Sequence, residues 1–235
     1  MRNLRAVSLL PLTLVTASMV HAESMSPTWV EPLRAELALL DKSSPATERR
    51  QLLDQAAAAI RKQLADVGKA QLTFICTHNS RRSHLSQIWA QVAADYYGVA
   101  GVQTFSGGTE ATACNIRTVR ALRRAGLQVV ATSDGSNPRY LVQFAEDRPS
   151  LTAFSKVYNE DGNPRSGFLA MMCCADADEN CPVVHGSVDR IPLHYVDPKV
   201  ADGTDAEAAT YDQRSRQIGA EMFYMFRQVA SAEAK

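Results

Sequence analysis

The 235-residue sequence has no surplus of charge of either sign, because 25 Lys and Arg residues balance 25 Asp and Glu residues. The global charge therefore gives no basis for binding nucleic acid or an anionic membrane, and an anion must be bound by a local site. After its first 22 residues the chain has no apolar run of the ~20 residues that a membrane-spanning helix requires. It also lacks internal repeats and low-complexity tracts, and its 46% apolar content is that of an ordinary globular protein.

The first 22 residues are typical of a signal peptide. Arg2 and Arg5 precede an uncharged stretch rich in Leu and Val, and Val20-His21-Ala22 offers small or apolar residues at a cleavage position. Pro11 and the short apolar run disfavour a membrane anchor. The sequence therefore predicts an exported protein, with the periplasm as its expected location and no membrane contact after cleavage.

The mature chain has five cysteines, which are Cys76, Cys114, Cys173, Cys174 and Cys181. An odd number leaves at least one thiol free or paired with another molecule. A chain of this length can form a core of its own, so reactive thiols are favoured over a disulfide framework. No His-x3-His pattern or second cysteine pair completes a four-ligand zinc set, so neither a metal nor a cofactor is expected.

From residue 71 onward, short apolar segments alternate with segments of helical periodicity. Buried strands are expected at 72–75, 102–105, 127–130 and 168–172, with amphipathic helices between them and near the C-terminus. This alternation predicts an α/β catalytic domain over residues 71–235, with a flavodoxin-like three-layer fold and a parallel sheet of about four strands. Ligands of such folds bind beyond the carboxyl ends of the strands, which is where Cys76 lies.

Two further regions lie outside this alternation. Residues 23–70 are predicted to form a helical extension, in which a helix begins near Ser44-Pro45 and ends at Gly68. No chemistry is assigned to this extension. Residues 137–166 are predicted to insert a β-hairpin with strands at 140–144 and 151–158.

The loop from Cys76 to Ser83 carries the predicted site. Between a buried strand and a helix, backbone N–H groups form an anion-binding nest supported by the helix dipole. The same field favours a thiolate, so Cys76 is expected to be a nucleophile. Arg82 can bond two oxygens of a phosphate-like ion, Ser83 can donate to the Cys76 sulfur, and Asn79 tolerates a left-handed backbone. The predicted oxyanion-binding residues are Thr77, His78, Asn79, Ser80, Arg81 and Arg82.

A bare Cys-x5-Arg pattern is frequent by chance, and its alternative is a buried structural cysteine with a surface arginine. The strand before it, the helix after it and Ser83 favour a functional loop. The loop resembles the phosphate loop of the low-molecular-weight protein tyrosine phosphatases and of the arsenate reductases that share their fold. The similarity continues through Ser106-Gly107-Gly108-Thr109-Glu110 and covers about residues 71–230. His78 stands where these loops usually carry glycine, and Gln87 stands where the reductases often carry Glu near a potassium site, so no such site is inferred.

A second cluster, Cys174-Ala-Asp-Ala-Asp-Glu-Asn-Cys181-Pro, resembles the redox loop of the thioredoxin-linked arsenate reductases. The resemblance implies that Cys76 attacks arsenate, Cys174 then attacks Cys76 and releases arsenite, and Cys181 takes over the disulfide. An external thioredoxin-like reductant would then regenerate the thiols. A static Cys174–Cys181 disulfide is the main alternative, and a zinc site is a weaker one.

Asp197-Pro198 matches the Asp-Pro general acid of the same superfamily. An Asp-Pro pair alone is only a turn signal, but its position after a predicted strand at 190–195 favours a catalytic role. Departing hydroxide or alkoxide needs a proton, which a carboxylic acid beside the oxyanion supplies.

Three functions follow from these features. The main prediction is an arsenate reductase-like enzyme, because Cys76, Cys174 and Cys181 are all present. The alternative is a phosphatase that cleaves a phosphoester through a phosphocysteine. It needs only the loop and Asp197, and it suits export better, since an oxidising periplasm would trap Cys174–Cys181 as a disulfide. A non-catalytic oxyanion-binding or redox-sensing protein is the third.

Overall fold

The structure is a computed structural model, and it describes residues 26–181 and 183–233. The predicted signal peptide at 1–22 lies outside the described residues. Within the described ranges, no helix has both the length and the apolar character needed to cross a membrane.

Helices and strands alternate along the chain. The helices are α1 (Glu31–Lys42), α2 (Thr47–Val67), α3 (Arg82–Tyr96), α4 (Ile116–Arg124), α5 (Ala175–Asn180) and α6 (Glu207–Glu233). The strands are β1 (Ala70–Cys76), β2 (Val102–Gly108), β3 (Gln128–Ala131), β4 (Tyr140–Gln143), β5 (Leu151–Ala153), β6 (Phe168–Met172) and β7 (Ser187–Ile191). A short 3-10 helix, Pro198–Ala201, lies between β7 and α6.

The main sheet is parallel and has the strand order β2-β1-β6-β7. β6 is buried at every position and β1 at nearly every position, as expected for strands at the centre of a parallel sheet. The predicted α/β fold with about four parallel strands is therefore confirmed. The fourth strand ends at Ile191, so the strand predicted at 190–195 begins and ends earlier than expected.

Helices α3 and α6 pack on each other, and the indole N–H of Trp89 donates to Ser215 Oγ at 2.9 Å between them. Helix α2 lies beside α6 and buries Leu53, Ala56, Ala57 and Ile60. It begins at Thr47 without a side-chain cap, so the start predicted at Ser44-Pro45 is two residues too early. Its end at Gly68, in the left-handed conformation, agrees with the sequence.

The strand at 127–130 was predicted to be buried, and this prediction is wrong. β3 instead pairs antiparallel with β4, which pairs with β5, in a separate three-stranded sheet. Only Val129 of β3 is buried, whereas a strand inside the parallel sheet would be buried on both faces. The second hairpin strand ends at Ala153 instead of 158, because the chain then turns to the main sheet, where Val157 bridges Gly108.

Candidate active site

Cys76 is the last residue of β1, and its sulfur is buried at the carboxyl end of the sheet. Its Sγ lies 3.1 Å from Ser83 Oγ in the first turn of α3. Asn79 Nδ2 donates to the same Ser83 oxygen at 2.9 Å. Because that bond occupies an acceptor position on Ser83 Oγ, the hydroxyl hydrogen is free to point to the Cys76 sulfur. The geometry therefore fits the predicted donation from Ser83 to Cys76.

Asn79 braces the loop from within. It is fully buried, and among the described residues it is the one non-glycine residue with a positive φ, 44°. Its Oδ1 accepts a hydrogen bond from the backbone N–H of Lys156 at 2.9 Å. Gly108 of β2 lies against the same turn, where an added Cβ would be 2.6 Å from Thr77 O and 2.8 Å from Asn79 N. Glycine at 108 thus lets the neighbouring strand approach the loop closely.

The N–H groups of the loop and of Arg82 are available to hydrogen-bond a ligand. Within the described chain, no acceptor is bonded to the backbone N–H groups of residues 77–82. Arg82 begins α3, and its Nη1 donates to the carbonyl of Tyr195 at 3.1 Å while Nη2 lies 3.0 Å from Asp197 Oδ2. Its buried Nε has no hydrogen-bond partner in the described part of the chain. A set of unbonded N–H donors at a helix N-terminus is suited to an oxyanion.

Asp197 lies opposite the loop, at the start of the 3-10 helix. Its Oδ1 accepts from the backbone N–H of Lys199 at 3.0 Å, and its side chain is 16% exposed. The structure thus brings together Cys76, Arg82, Ser83 and Asp197, the four residues predicted for attack, binding and proton transfer.

The other predicted loop residues have different partners. Arg81 Nε donates to Tyr211 Oη at 2.7 Å, and its Nη2 lies 3.3 Å from Asp202 Oδ2. Burial lowers the pKa of Arg81, but the bond to Tyr211 and the nearby carboxylates outweigh it, so the pKa is raised. His78 Nε2 lies 2.9 Å from Glu110 Oε1 at the exposed mouth. The Ser80 carbonyl accepts from the backbone N–H of Asn115 at 3.0 Å.

The two predicted redox cysteines lie at opposite ends of α5. Cys174 precedes the helix, is buried, and has its sulfur 3.5 Å from Thr77 Oγ1 in the oxyanion loop. Cys181 follows the helix and is partly exposed. All five cysteines fall within the described residues and all are free, so the static disulfide is absent from this structure. A helical rise of ~1.5 Å per residue separates the two Cα atoms by about 10 Å, farther than a disulfide permits, so α5 must unwind before they can bond.

One ion-pair cluster, absent from the sequence predictions, holds α5 to the sheet. Asp178 Oδ1 lies 2.6 Å from Arg190 Nη2 of β7, and Asp178 Oδ2 lies 2.9 Å from His194 Nε2. Arg190 also donates to the Asp178 backbone carbonyl. The repeated acidic residues between Cys174 and Cys181 were a visible signal, but their partners depend on the position of β7.

The remaining two cysteines are poor nucleophiles. Cys114 is buried, and burial raises its pKa to about 12. Burial, and then the neighbouring Cys76, also raise the pKa of Cys173, whose sulfur lies 3.6 Å from Ser86 Oγ. Both therefore stay protonated near neutral pH. Across the described residues, no group of three His, Cys, Asp or Glu side chains is placed to hold a metal ion.

Two clefts flank the loop. One, of about 410 Å³, is lined by Arg82, Asp197 and His194 together with the start of α5. The other, of about 690 Å³, is lined by His78, Arg81 and residues 112–116 and reaches the inserted sheet at Tyr140. Lys199 lines both clefts. The loop is thus open to ligands from the side of α5 and from the side of the insertion.

The parallel sheet, and a cysteine loop that ends in an arginine at a helix N-terminus, define an enzyme of the low-molecular-weight protein tyrosine phosphatase superfamily. Proteins of similar sequence identify the family within this superfamily. An arsenate reductase of Bacillus licheniformis is 30% identical over 152 residues, covering 64% of this chain and 89% of that protein. An arsenate reductase of Bacillus subtilis is 28% identical over 144 residues, covering 61% and 84%. The chain belongs to the arsenate reductase family.

Solved structures of low-molecular-weight phosphatases are also similar. One from T. tengcongensis has a TM-score of 0.46 at 12% identity and covers 68% of this chain and 99% of its own. One from Vibrio cholerae O395 has a TM-score of 0.43 at 11% identity and covers 70% and 95%. No protein-family model matches the sequence.

Proposed function

We propose that this protein reduces arsenate to arsenite, with Cys76 as the nucleophile and Cys174 and Cys181 as a thiol relay. The observation that carries the proposal is the position of Cys174, whose sulfur is 3.5 Å from Thr77 Oγ1, directly beside the nucleophile's loop. A free cysteine at this place, with a second one at the far end of a six-residue helix, is more than phosphoester cleavage requires.

The oxyanion binds in the loop. The unbonded N–H groups of residues 77–82 and Arg82 Nε supply donors, and the N-terminus of α3 adds a favourable dipole. These donors are held in place before the substrate arrives, so little reorganisation accompanies the reaction.

The first step forms an adduct on Cys76. The Cys76 thiolate attacks arsenic, a sulfur–arsenic bond forms, and an arsenic–oxygen bond breaks. The Asp197 carboxyl gives its proton to the departing hydroxide, which leaves as water. Ser83 lies 3.1 Å from the Cys76 sulfur and stabilises it by donating its hydroxyl.

The next two steps move electrons. The Cys174 thiolate attacks Cys76 Sγ, so a disulfide forms while the sulfur–arsenic bond breaks. The electron pair of that bond stays on arsenic, which passes from As(V) to As(III) and leaves as arsenite. The Cys181 thiolate then attacks Cys174 Sγ and releases Cys76 as a thiolate. Two thiols are oxidised for each arsenic reduced, and α5 unwinds to allow the last exchange.

The cycle needs a dithiol reductant for Cys174–Cys181, and a thioredoxin-like protein has the required chemistry. Cys181 is the more exposed of the two cysteines, so it is the sulfur that such a partner attacks. The signal-like segment at 1–22 supports a location outside the cytoplasm, in the periplasm, for this enzyme and its reductant. In an oxidising compartment the reductant must be supplied actively.

A second candidate is cleavage of a phosphoester through a phosphocysteine. The clefts of about 410 and 690 Å³ beside the loop favour it, because an inorganic oxyanion fills neither. Asp197 would then protonate the leaving oxygen and later activate water.

The two functions separate in a single-turnover experiment on the reduced protein. Arsenate should yield one arsenite per enzyme, and Cys76→Ser and Cys174→Ser should both abolish it. Cys114→Ser, a matched change at a buried thiol away from the relay, should leave the yield intact. Cleavage of p-nitrophenyl phosphate that survives Cys174→Ser, with no arsenite from wild type, would instead establish the phosphatase.

A further inference from the structure

Helix α2 lies outside the segment that resembles the arsenate reductases, yet it sends a charged side chain into the core. Arg49 Nη2 lies 2.7 Å from Glu221 Oε2 of α6, and Arg49 Nε lies 3.2 Å from both Glu221 oxygens. The Glu221 side chain is only 3% exposed, and that of Arg49 is 20% exposed. A two-pronged bond of this kind fixes both side chains in angle as well as in distance.

Glu221 in turn holds the ring of Tyr195. Its Oε2 accepts from Tyr195 Oη at 3.0 Å, and the Arg49 guanidinium carbon lies 5.2 Å from the centroid of the same ring. Burial, and then the charge of Glu221, raise the pKa of Tyr195 well above its ordinary value. The phenol therefore remains a donor to Glu221, and the ring is fixed at its edge by Glu221 and at its face by Arg49.

The backbone of Tyr195 reaches the active site. Its carbonyl accepts from Arg82 Nη1 at 3.1 Å, and its N–H donates to the Cys173 carbonyl at 3.0 Å. Asp197, which lies 3.0 Å from Arg82 Nη2, follows two residues later. The position of the Tyr195 backbone thus sets one bond of Arg82 directly and the start of the Asp197 turn.

We propose that Arg49 is a positioning residue, and that through Glu221 and Tyr195 the N-terminal helix α2 sets the geometry of Arg82 and Asp197. The inference deepens the proposed function, since it concerns the same site. It assigns a role to a helix for which no chemistry is predicted from the sequence.

The physical reason lies in the burial of Glu221. Without Arg49 its carboxylate loses its bidentate cationic partner, and an incompletely paired buried charge is strongly disfavoured. Glu221 is then expected to move, and the Tyr195 ring loses its face contact with Arg49. A displacement of ~1 Å at a catalytic group can cost roughly 100-fold in rate.

The test compares Arg49→Met with Arg61→Met in the full chain. Arg61 is on the same helix and also binds α6, donating from Nη1 to the Gln228 carbonyl at 2.9 Å, but it has no hydrogen bond to Glu221 or Tyr195 in the part of the chain that the structure describes. We expect Arg49→Met to weaken binding of inorganic phosphate and to lower the single-turnover rate roughly tenfold or more. Arg61→Met should leave both within about twofold of wild type, even though urea unfolding should detect a loss of stability in both variants.

Tyr195→Phe removes the phenol oxygen but keeps the ring face that Arg49 contacts, and it completes a double-mutant cycle. If Arg49 acts through Tyr195, Arg49→Met should cost less in the Tyr195→Phe background than in wild type, and Arg49→Lys should restore part of the activity. Phosphate affinity and rate unchanged in Arg49→Met, equal losses in Arg61→Met, or fully multiplicative effects with Tyr195→Phe would overturn the inference.

The comparison of Arg49→Met with Arg61→Met can be interpreted whichever reaction the protein catalyses. Phosphate binding and p-nitrophenyl phosphate cleavage both depend on Arg82 but do not require Cys174 or Cys181. A wild type that binds phosphate and forms no arsenite would contradict the proposed reductase, while the comparison of Arg49→Met with Arg61→Met would still decide the role of Arg49.

Discussion

The oxyanion loop and the redox segment meet at the active site, but they are held in different ways. The loop at 76–83 is bound to β2, α4 and the chain at 155–156 through buried backbone and side-chain hydrogen bonds. The redox segment at 174–181 is a single short helix whose side-chain anchor is Asp178. Stabilising developing charge requires donors fixed in advance, whereas thiol exchange requires sulfurs that can move together. We therefore infer that the site combines a fixed half, the oxyanion loop, with a half that rearranges, the redox segment.

The largest effect is expected from loosening the fixed half. Asn79→Ala removes the bonds to Ser83 and Lys156 and leaves alanine at a positive φ. We expect a roughly 100-fold loss in single-turnover rate, and a fall of about 2–3 kcal/mol in the free energy of unfolding.

Asn115→Ala is the matched control. It removes the cap of α4 by deleting the acceptor for the Arg117 N–H, and should cost about 1 kcal/mol of stability with little change in rate. Equal rates for Asn79→Ala and wild type would show that the loop does not depend on this brace.

A smaller effect is expected from weakening the contacts that hold the redox segment, and it should appear in the redox potential of Cys174 and Cys181. Asp178→Asn weakens the contacts with Arg190 and His194, which the structure shows with α5 helical and its cysteines apart. The oxidised form loses these ties on unwinding, so the substitution should favour the Cys174–Cys181 disulfide. Redox titration should show a more negative potential, where each tenfold shift in the equilibrium corresponds to about 30 mV.

Asp189→Asn is the matched control on β7. Among the described residues the Asp189 side chain accepts a hydrogen bond from the Arg190 backbone N–H, so this change should leave the potential unchanged. An Asp178→Asn potential equal to that of wild type would mean that the cluster does not control the segment.

The smallest effect on activity is expected at Lys156, whose backbone supports Asn79 while its side chain is buried. Burial lowers its pKa to about 8. Below pH 8 the lysine is charged in both states and the folded state carries the full cost of burying it. Above its unfolded value of 10.5 it is neutral in both states and that cost is gone. The contribution of Lys156 to the free energy of unfolding of the wild type therefore rises between pH 8 and 10.5.

Lys156→Met removes this cost, so it should raise the free energy of unfolding at pH 7 by at most about 3 kcal/mol, with the gain vanishing by pH 10.5. Urea unfolding of both proteins at pH 7 and pH 10 measures it. A gain that is the same at both pH values would contradict the assigned charge effect. The rate should be unchanged, since the backbone bond to Asn79 remains.

Local patterns in the sequence were sufficient for the fixed half. Cys76, Arg82 and Ser83 lie within one strand–loop–helix unit, so their spacing already determines their geometry. The two central strands of the main sheet were likewise predictable, because β6 and most of β1 read as continuous apolar runs.

Contacts between distant segments were not predictable. The short apolar run at β3 fits either sheet, and only its pairing with β4 decides between them. Arg49 and Glu221 are 172 positions apart, and nothing around either residue indicates its partner. The ion pairs of Asp178 with Arg190 of β7 and with His194 could not be predicted for the same reason, since they depend on how α5 lies against the sheet.

The most direct test of the two-part site follows the thiols after one equivalent of arsenate. In reduced Cys181→Ser the relay should stop after its first exchange, so peptide mapping by mass spectrometry should find a Cys76–Cys174 disulfide together with one arsenite. Wild type should carry Cys174–Cys181 instead. Arsenite formed with Cys76 left as a free thiol in Cys181→Ser, or a disulfide from Cys76 to Cys114 or Cys173, would contradict the account.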